Sequence, residues 1–382
     1  MISWINILHL YQPPTQSKEV VDRVVAESYS TILNLLGTYP DLRLTINLSG
    51  SLIELLEKYG HQAIIEGFKK YAANGQVELL GSAMYHPILP FLPLKEIERQ
   101  INLNTNILRK HFKKDFPKKG FYIPEMAYSE KIAGPIKECG FDWIALDEIH
   151  SVEPIDPSIR YTGEAGLGII FRNSQFSKSF PPEFIVEQKS KIKGGYIITA
   201  HDGELYGHWH KDDRGYYKKA FTDTDIKTML ASEYLSKLTE TRNISVREAS
   251  WESTSEELGN NIPYGLWHHP GNEIHKKLET LKKFVLRTVE KNRENSYYRS
   301  ARAHADKGLA SCAWWWSSEK KLGAFSVLTW NPEEIEKGAQ ELLTAVRALK
   351  TIDPASYLRA ESLFNKVHAA VWERHWKQHP EG

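Results

Sequence analysis

The feature that most constrains this chain is an alternation. Short runs rich in β-branched and aromatic residues are separated by longer stretches with apolar residues at helical spacing. The runs cover residues 2–10, 42–48, 76–80, 119–124, 141–146, 169–171, 196–199 and 244–250. Gly194-Gly195 marks a turn ahead of the seventh, and 244–250 reads as the last strand of the series. Helical spacing appears at 20–36, 51–59, 64–73, 94–112 and 129–139, with Gly37, Asn74-Gly75 and Gly140 as stops. The long 94–112 segment is acidic early and basic late, as a helix dipole favours. Strand, helix, strand, helix with short connections predicts a parallel sheet or barrel. The pattern is less regular over 151–188, where Pro181-Pro182 reads as a breaker.

Beyond residue 272 the texture changes. Segments 272–291, 296–307, 332–350 and 354–378 all read as helices, with no strand between them. A length of 382 residues exceeds the usual single domain, so the expectation is an α/β domain over 1–271 and a helical domain over 272–382. Trp314, Trp315 and Trp316 interrupt the helical part. Three adjacent side chains on a helix point in different directions, so at least one faces a neighbouring domain or a cleft. A tryptophan-rich helix junction is the alternative reading.

The apolar runs deliver polar groups where they end: His9 and Gln12, then His86, Glu125, Asp147 with Glu148, and finally His201, Asp202, Glu204 and His208. If the strands are parallel, these groups gather at one rim, where parallel α/β folds keep their chemistry. Two rim carboxylates suit glycoside hydrolysis, one ionised and one protonated. Histidines beside an aspartate suit a zinc site equally well, and periodicity does not separate the two. Eleven tryptophans and eighteen tyrosines fit either stacking on the C–H faces of sugars or a large core. A net charge of +1 gives no reason to expect nucleic acid or an anionic membrane as partner. Cys139 and Cys312 are too few for a disulfide framework and suit a reducing compartment. No apolar stretch has transmembrane length, and the chain opens in a strand without a signal peptide, so the expected location is cytoplasmic. Oligomeric state is not legible.

Four rim stretches together resemble glycoside hydrolase family 57, the family of α-glucan-active amylases, branching enzymes and 4-α-glucanotransferases. His9-Leu10-Tyr11-Gln12-Pro13 is similar to its first motif, with Tyr11 in place of a usual histidine. Gly75-Gln76-Val77-Glu78 leading to His86-Pro87-Ile88-Leu89-Pro90 resembles the second. Gly120-Phe121-Tyr122-Ile123-Pro124-Glu125 resembles the third, with Tyr122 where tryptophan is common. Asp202-Gly203-Glu204 through Gly207-His208-Trp209 resembles the fourth, and Trp314 to Trp316 fall where the fifth sits.

The resemblance implies an incomplete (β/α)7 barrel followed by a C-terminal helical bundle. It implies a retaining α-glucan hydrolase or glucanotransferase, with Glu125 as nucleophile and Asp202 as acid/base. His9, Gln12, His86, Tyr122, His201, Glu204, Trp209, Trp315 and Trp316 are then the expected contacts to an α-glucan or malto-oligosaccharide, with no cofactor and no metal. Two other classes stay open: a metal-dependent carbohydrate hydrolase, deacetylase or α-mannosidase-like, and a non-catalytic glucan-binding relative.

Overall fold

The computed structural model describes residues 1–117, 119–192, 195–322 and 327–378. Gly194 of the expected turn and residues 323–326 and 379–382 of the expected helical domain lie outside them. The chain divides into two compact units, one of Met1–Gln12, Gln16–Met84 and Leu89–Trp251, the other of Pro13–Thr15, Tyr85–Ile88 and Glu252–Gly382.

In chain order the strands of the first unit are β1 (Ile2–Leu10), β2 (Leu44–Leu48), β3 (Val77–Leu79), β4 (Gly120–Tyr122), β5 (Trp143–Asp147), β6 (Arg160–Thr162), β7 (Gly168–Arg172), β8 (Gly195–Asp202), β9 (Ile226–Met229) and β10 (Thr241–Asn243). β1 is buried almost throughout, as a strand covered on both faces must be. It pairs in parallel with β8 from Ile2 opposite Gly195 to His9 opposite Asp202. Its second half pairs with β2 and its first half with β9.

The parallel order continues from β2 to β3 and, beyond a single bridge between Gly81 and Phe121, through β4, β5 and β7. At the remaining seam the amide of Asn173, just past β7, donates to the carbonyl of Ile198 in β8 at 2.8 Å. Seven parallel strands thus come round on themselves with two weakened seams, an incomplete (β/α)7 barrel. β6 is antiparallel to β7 and carries β10 on its outer edge.

Strand alternation sorts the side chains. Ile5, Ile7, Tyr122, Trp143, Ala145, Ile170, Ile198 and Ala200 share one core inside the barrel. Ile2, Trp4 and Ile197 pack on the other side against Ile185 and Ala220 of the surrounding helices. Full burial of an Ile or Phe side chain contributes about 1.5–3 kcal/mol each, so both layers hold the strands in register. By the same parity His9, Asp147, Arg172 and Asp202 point inward at the carboxyl ends.

Several expectations are corrected. The helix expected to stop at Gly37 runs to Thr38, and it contains a π-helical turn at Val25–Tyr29. Gly37 serves close approach instead: a Cβ there would lie 2.9 Å from Tyr71 Oη. Pro181-Pro182 does not break structure but opens the helix Pro181–Gln188, since proline suits a first helical turn. The seventh run does not end at Thr199; β8 continues through His201 to Asp202. Residues 244–250 are not a barrel strand. Of their side chains only Ser245 and Glu248 are exposed and Ala249 and Ser250 are buried, but they join no sheet, and their one strand pairing is an isolated antiparallel bridge from Ala249 to Tyr128.

The second unit is helical. Its long helices are Glu273–Lys291, Tyr298–Lys307, Pro332–Ala348 and Pro354–Gln378, with a short one at Cys312–Trp315. Asn272 and Asn331 cap two of them by accepting amide hydrogen bonds. One apolar stripe of each is buried, as in Leu278, Leu281 and Val285 or Ala339, Leu342 and Val346. Between them lies a two-residue antiparallel ladder of Lys321–Leu322 with Val327–Leu328, where no strand was expected. Among the described residues no helix is long and apolar enough to cross a membrane.

Candidate active site

His9 forms the floor of the barrel mouth. Its Nδ1 donates to Asn47 Oδ1 at 2.7 Å, which links β1 to β2. Its ring stacks on Tyr122 at 4.6 Å and on Tyr11 at 5.8 Å. Burial lowers the imidazole pKa to about 4, and the Asn47 bond opposes this only in part, so His9 is neutral at pH 7. Tyr122 is fully buried, and its hydroxyl has no hydrogen-bond partner among the described residues. Burial, then the charge of Asp202, hold the phenol well above its ordinary pKa; Arg172 opposes and Glu125 adds to the rise. One hydroxyl therefore senses both Glu125 and Asp202.

Glu125 stands just past β4 with left-handed backbone, φ 56°, and Met126 follows at φ 45°. Non-glycine residues pay for that geometry, on the order of 1–2 kcal/mol each, and it persists only where neighbours impose it. Here they do. The carbonyl of Glu125 accepts from the Trp251 amide at 3.2 Å, and His150 Nε2 donates to the Met126 carbonyl at 2.8 Å. The Glu125 side chain is held as well, because Trp251 Nε1 donates to Oε2 at 2.9 Å.

Behind Trp251 lies Arg172. Its guanidinium sits 4.8 Å over the indole, its Nε donates to Asp147 Oδ2 at 2.6 Å, and its Nη1 donates to the Ala200 carbonyl at 2.6 Å. Asp147 is also hydrogen-bonded by Ser174 and the Ile149 amide. Burial pushes its carboxyl up, but Arg172 and these bonds outweigh it and leave the pKa lowered. Glu148 accepts from Asn173 and the Ser174 amide. Both carboxylates of this strand end thus serve to hold structure.

Asp202 closes β8 and is exposed, whereas Glu125 is half-buried. The loop after it is held by the π-helical turn. Three consecutive residues of that turn bond to the loop; such π-bulges are frequent at functional sites. Glu27 bonds His208 Nδ1, Ser28 Oγ donates to the Gly203 carbonyl at 2.9 Å, and Tyr29 Oη donates to Glu204 Oε1 at 2.7 Å. Gln12 Nε2 donates to the same oxygen at 3.0 Å. Burial, then the charge of Asp202, raise the Glu204 pKa to about 8. Gly207 has φ 100°, and a Cβ there would meet the Glu27 carbonyl oxygen at 2.2 Å, so only glycine lets loop and turn approach so closely.

The structure therefore gathers His9, Gln12, Tyr122, Glu125, Asp202 and Glu204 around the barrel mouth. His201 alternates to the outer face, where its ring stacks on Tyr206 at 5.7 Å and Nδ1 donates to the Asp202 carbonyl. Burial lowers its pKa to about 4. Trp209 is 58% exposed and leans edge-on against His208. The other three expected contacts belong to the second unit. There His86 is buried with its carbonyl accepting from the Ser311 amide, while Trp315 and Trp316 are half-buried and meet edge-to-face at 4.5 Å. Sequence reasoning missed Trp251, Arg172, Asn47 and Tyr29. Two gave a signal, since Arg172 and Trp251 each follow an apolar or alternating run. Among the described residues no group of three His, Cys, Asp or Glu side chains is arranged to hold a metal ion, and neither cysteine is in a disulfide.

Against known proteins, the model for glycosyl hydrolase family 57 matches residues 7–247. An α-amylase of Pyrococcus horikoshii is 26% identical over 326 residues, 76% of this chain and 48% of that protein. The chain spans about half the length of the first curated relatives it matches, or less. Among solved structures, a 4-α-glucanotransferase from Thermococcus litoralis superposes with a TM-score of 0.71 at 19% identity, covering 91% of this chain and 60% of that one. A family 57 branching enzyme from P. horikoshii gives 0.69 at 15% identity, covering 99% and 97%. At these identities the structural likeness speaks for the fold.

Proposed function

Because this chain belongs to glycosyl hydrolase family 57, we propose that it is a retaining enzyme acting on α-1,4-linked glucans. It would do so as a hydrolase or as a glucanotransferase. The observation that carries this reading is a division of labour among the carboxylates of the barrel mouth. Asp147, Glu148 and Glu204 are each hydrogen-bonded to two or more protein groups. Asp202 is exposed, and Glu125 is partly so. A sugar bound at the mouth meets these two.

In the first step Glu125 attacks the anomeric carbon and the glycosidic C–O bond breaks, while Asp202 protonates the departing oxygen. This leaves a glycosyl ester on Glu125. In the second step Asp202 takes a proton from water or from a sugar hydroxyl, whose oxygen attacks the same carbon and releases Glu125. Two inversions give net retention. Tyr122 and His9 form the floor under the reacting sugar, and Gln12 and Glu204 face its hydroxyls. His201 supports Asp202 through its carbonyl and stays behind the strand. Trp209, exposed beside the loop, stacks on a sugar ring, and His86, Trp315 and Trp316 are the proposed glucan contacts within the second unit. The proposal takes 1–271 as the catalytic domain, 272–382 as the helical domain, and a cytoplasmic setting. It calls for no nucleic acid, membrane or cofactor.

The test is to incubate the protein with maltoheptaose and with amylose and to follow product lengths. Shorter products alone identify a hydrolase, while shorter and longer ones together identify a transferase. No change in either substrate would overturn the α-glucan reading and leave the metal-dependent hydrolase and the non-catalytic binding relative.

A further inference from the structure

We infer that Trp251 is a positioning residue for Glu125, and that Arg172, anchored by Asp147, holds Trp251 in its working orientation. The inference rests on Glu125 being the nucleophile, as proposed above.

Trp251 grips Glu125 twice, at the backbone carbonyl through its amide and at Oε2 through its indole N–H. The first bond fixes the left-handed backbone that aims the side chain. The second restrains rotation of the carboxylate. The indole itself is confined on three sides. The Arg172 guanidinium covers its face, and His9 and Tyr122 meet it edge-on at 6.3 and 6.1 Å. Arg172 is confined in turn, 3% exposed, with one nitrogen on Asp147 in β5 and another on the β8 backbone. The resulting line, Asp147 to Arg172 to Trp251 to Glu125, ties three strand ends to one carboxylate.

The chemistry exceeds what packing requires. A buried aromatic that only filled space would have no reason to aim its single donor at a carboxylate oxygen, and phenylalanine would serve as well. A donor aimed at a carboxylate favours the charged form, which is the form that attacks. A cation over the indole face polarises the ring and strengthens that donor. Removing one hydrogen bond to a charged group in a preorganised site costs roughly tenfold to a hundredfold in rate.

The test compares Trp251→Phe and Arg172→Met with the parent. It measures kcat and KM across pH together with thermal unfolding, and Glu125→Ala is assayed with and without azide as the control. Trp251→Phe should lower kcat/KM by roughly tenfold to a hundredfold, mostly through kcat, and move the acid limb of the profile to higher pH. Arg172→Met should move the limb the same way by less, because the indole stays but is no longer pinned. If Trp251→Phe does not fold, Arg172→Met alone decides. An unchanged acid limb with unchanged turnover per folded molecule makes Trp251 a packing residue and overturns the inference. The control keeps the two readings apart. Azide should restore turnover to Glu125→Ala by attacking the anomeric carbon in place of the missing carboxylate, giving a glycosyl azide. If Glu125→Ala turns over normally without azide, the assignment of the nucleophile fails instead.

Discussion

Tyr29 Oη donates to Glu204 Oε1 at 2.7 Å, so a π-helical turn reaches across 175 residues to hold the carboxylate two positions after Asp202. Glu204 also accepts from Gln12, yet burial and the charge of Asp202 still raise its pKa to about 8. A raised carboxyl binds its proton more tightly in the folded state than in the unfolded chain. Its contribution to stability is therefore present below the unfolded value of about 4.5 and is lost as pH rises toward 8, by on the order of a few kcal/mol. Glu204→Gln keeps the acceptor oxygen and removes the titration. Chemical denaturation at pH 5, 6.5 and 8 should show parent stability falling over this range and the variant's staying nearly level.

The two buried histidines act in the opposite direction and in a lower window. His9 and His201 both have pKa values lowered by burial to about 4, against about 6.5 when unfolded. Each favours the folded state above pH 6.5 and loses that contribution as pH falls toward 4, by on the order of 2–3 kcal/mol. His201→Asn should be less stable than the parent at pH 7 but lose less on acidification to pH 4.5. Parallel curves for the two proteins would show that His201 does not titrate in this window.

How much of this was legible follows from where the signals sit. β1 and the helices Leu94–Phe112 and Pro354–Gln378 lie where the sequence pattern puts them, because each carries its period over nine or more residues. β9 escaped notice, since Ile226–Met229 is four residues with Lys227 exposed among them. Residues 244–250 misled because alternation alone looks like a strand, whereas a parallel barrel strand must be covered on both faces. Glu125 and Asp202 were readable as polar groups ending apolar runs. Trp251 gave only the signal of following a run, and its pairing, like that of Tyr29, was not readable, because their partners lie 126 and 175 residues away and nothing local encodes those pairings.

In the helical unit the three adjacent tryptophans should respond unequally to truncation. Trp314 is buried, its carbonyl accepts from His275 Nε2, and Lys282 lies 5.6 Å over its ring. Trp314→Ala should destabilise by about 3–5 kcal/mol. Trp315 and Trp316 are only half-buried, so their alanine variants should cost less stability. On the proposed function at least one of them lowers kcat/KM on maltoheptaose per folded molecule. If neither does, the tryptophan run is a packing feature of the helices.

A carboxylate pair suffices for the proposed chemistry. Exhaustive chelation should then leave glucan turnover intact, and elemental analysis of the purified protein should find no stoichiometric zinc. One zinc per chain, lost together with activity, would favour the metal-dependent hydrolase instead.

The central claim is that Glu125 forms a covalent bond to the sugar. The most direct measurement is to incubate the enzyme with a 5-fluoro-glycosyl fluoride of the α-maltosyl series, whose ring fluorine slows the release of the intermediate. Mass spectrometry of the intact protein and of its peptides then locates any adduct. The proposed mechanism predicts one added glycosyl group per chain, on the peptide that carries Glu125, and none in Glu125→Gln. An adduct on another carboxylate, or turnover of the reagent without any adduct, would contradict it.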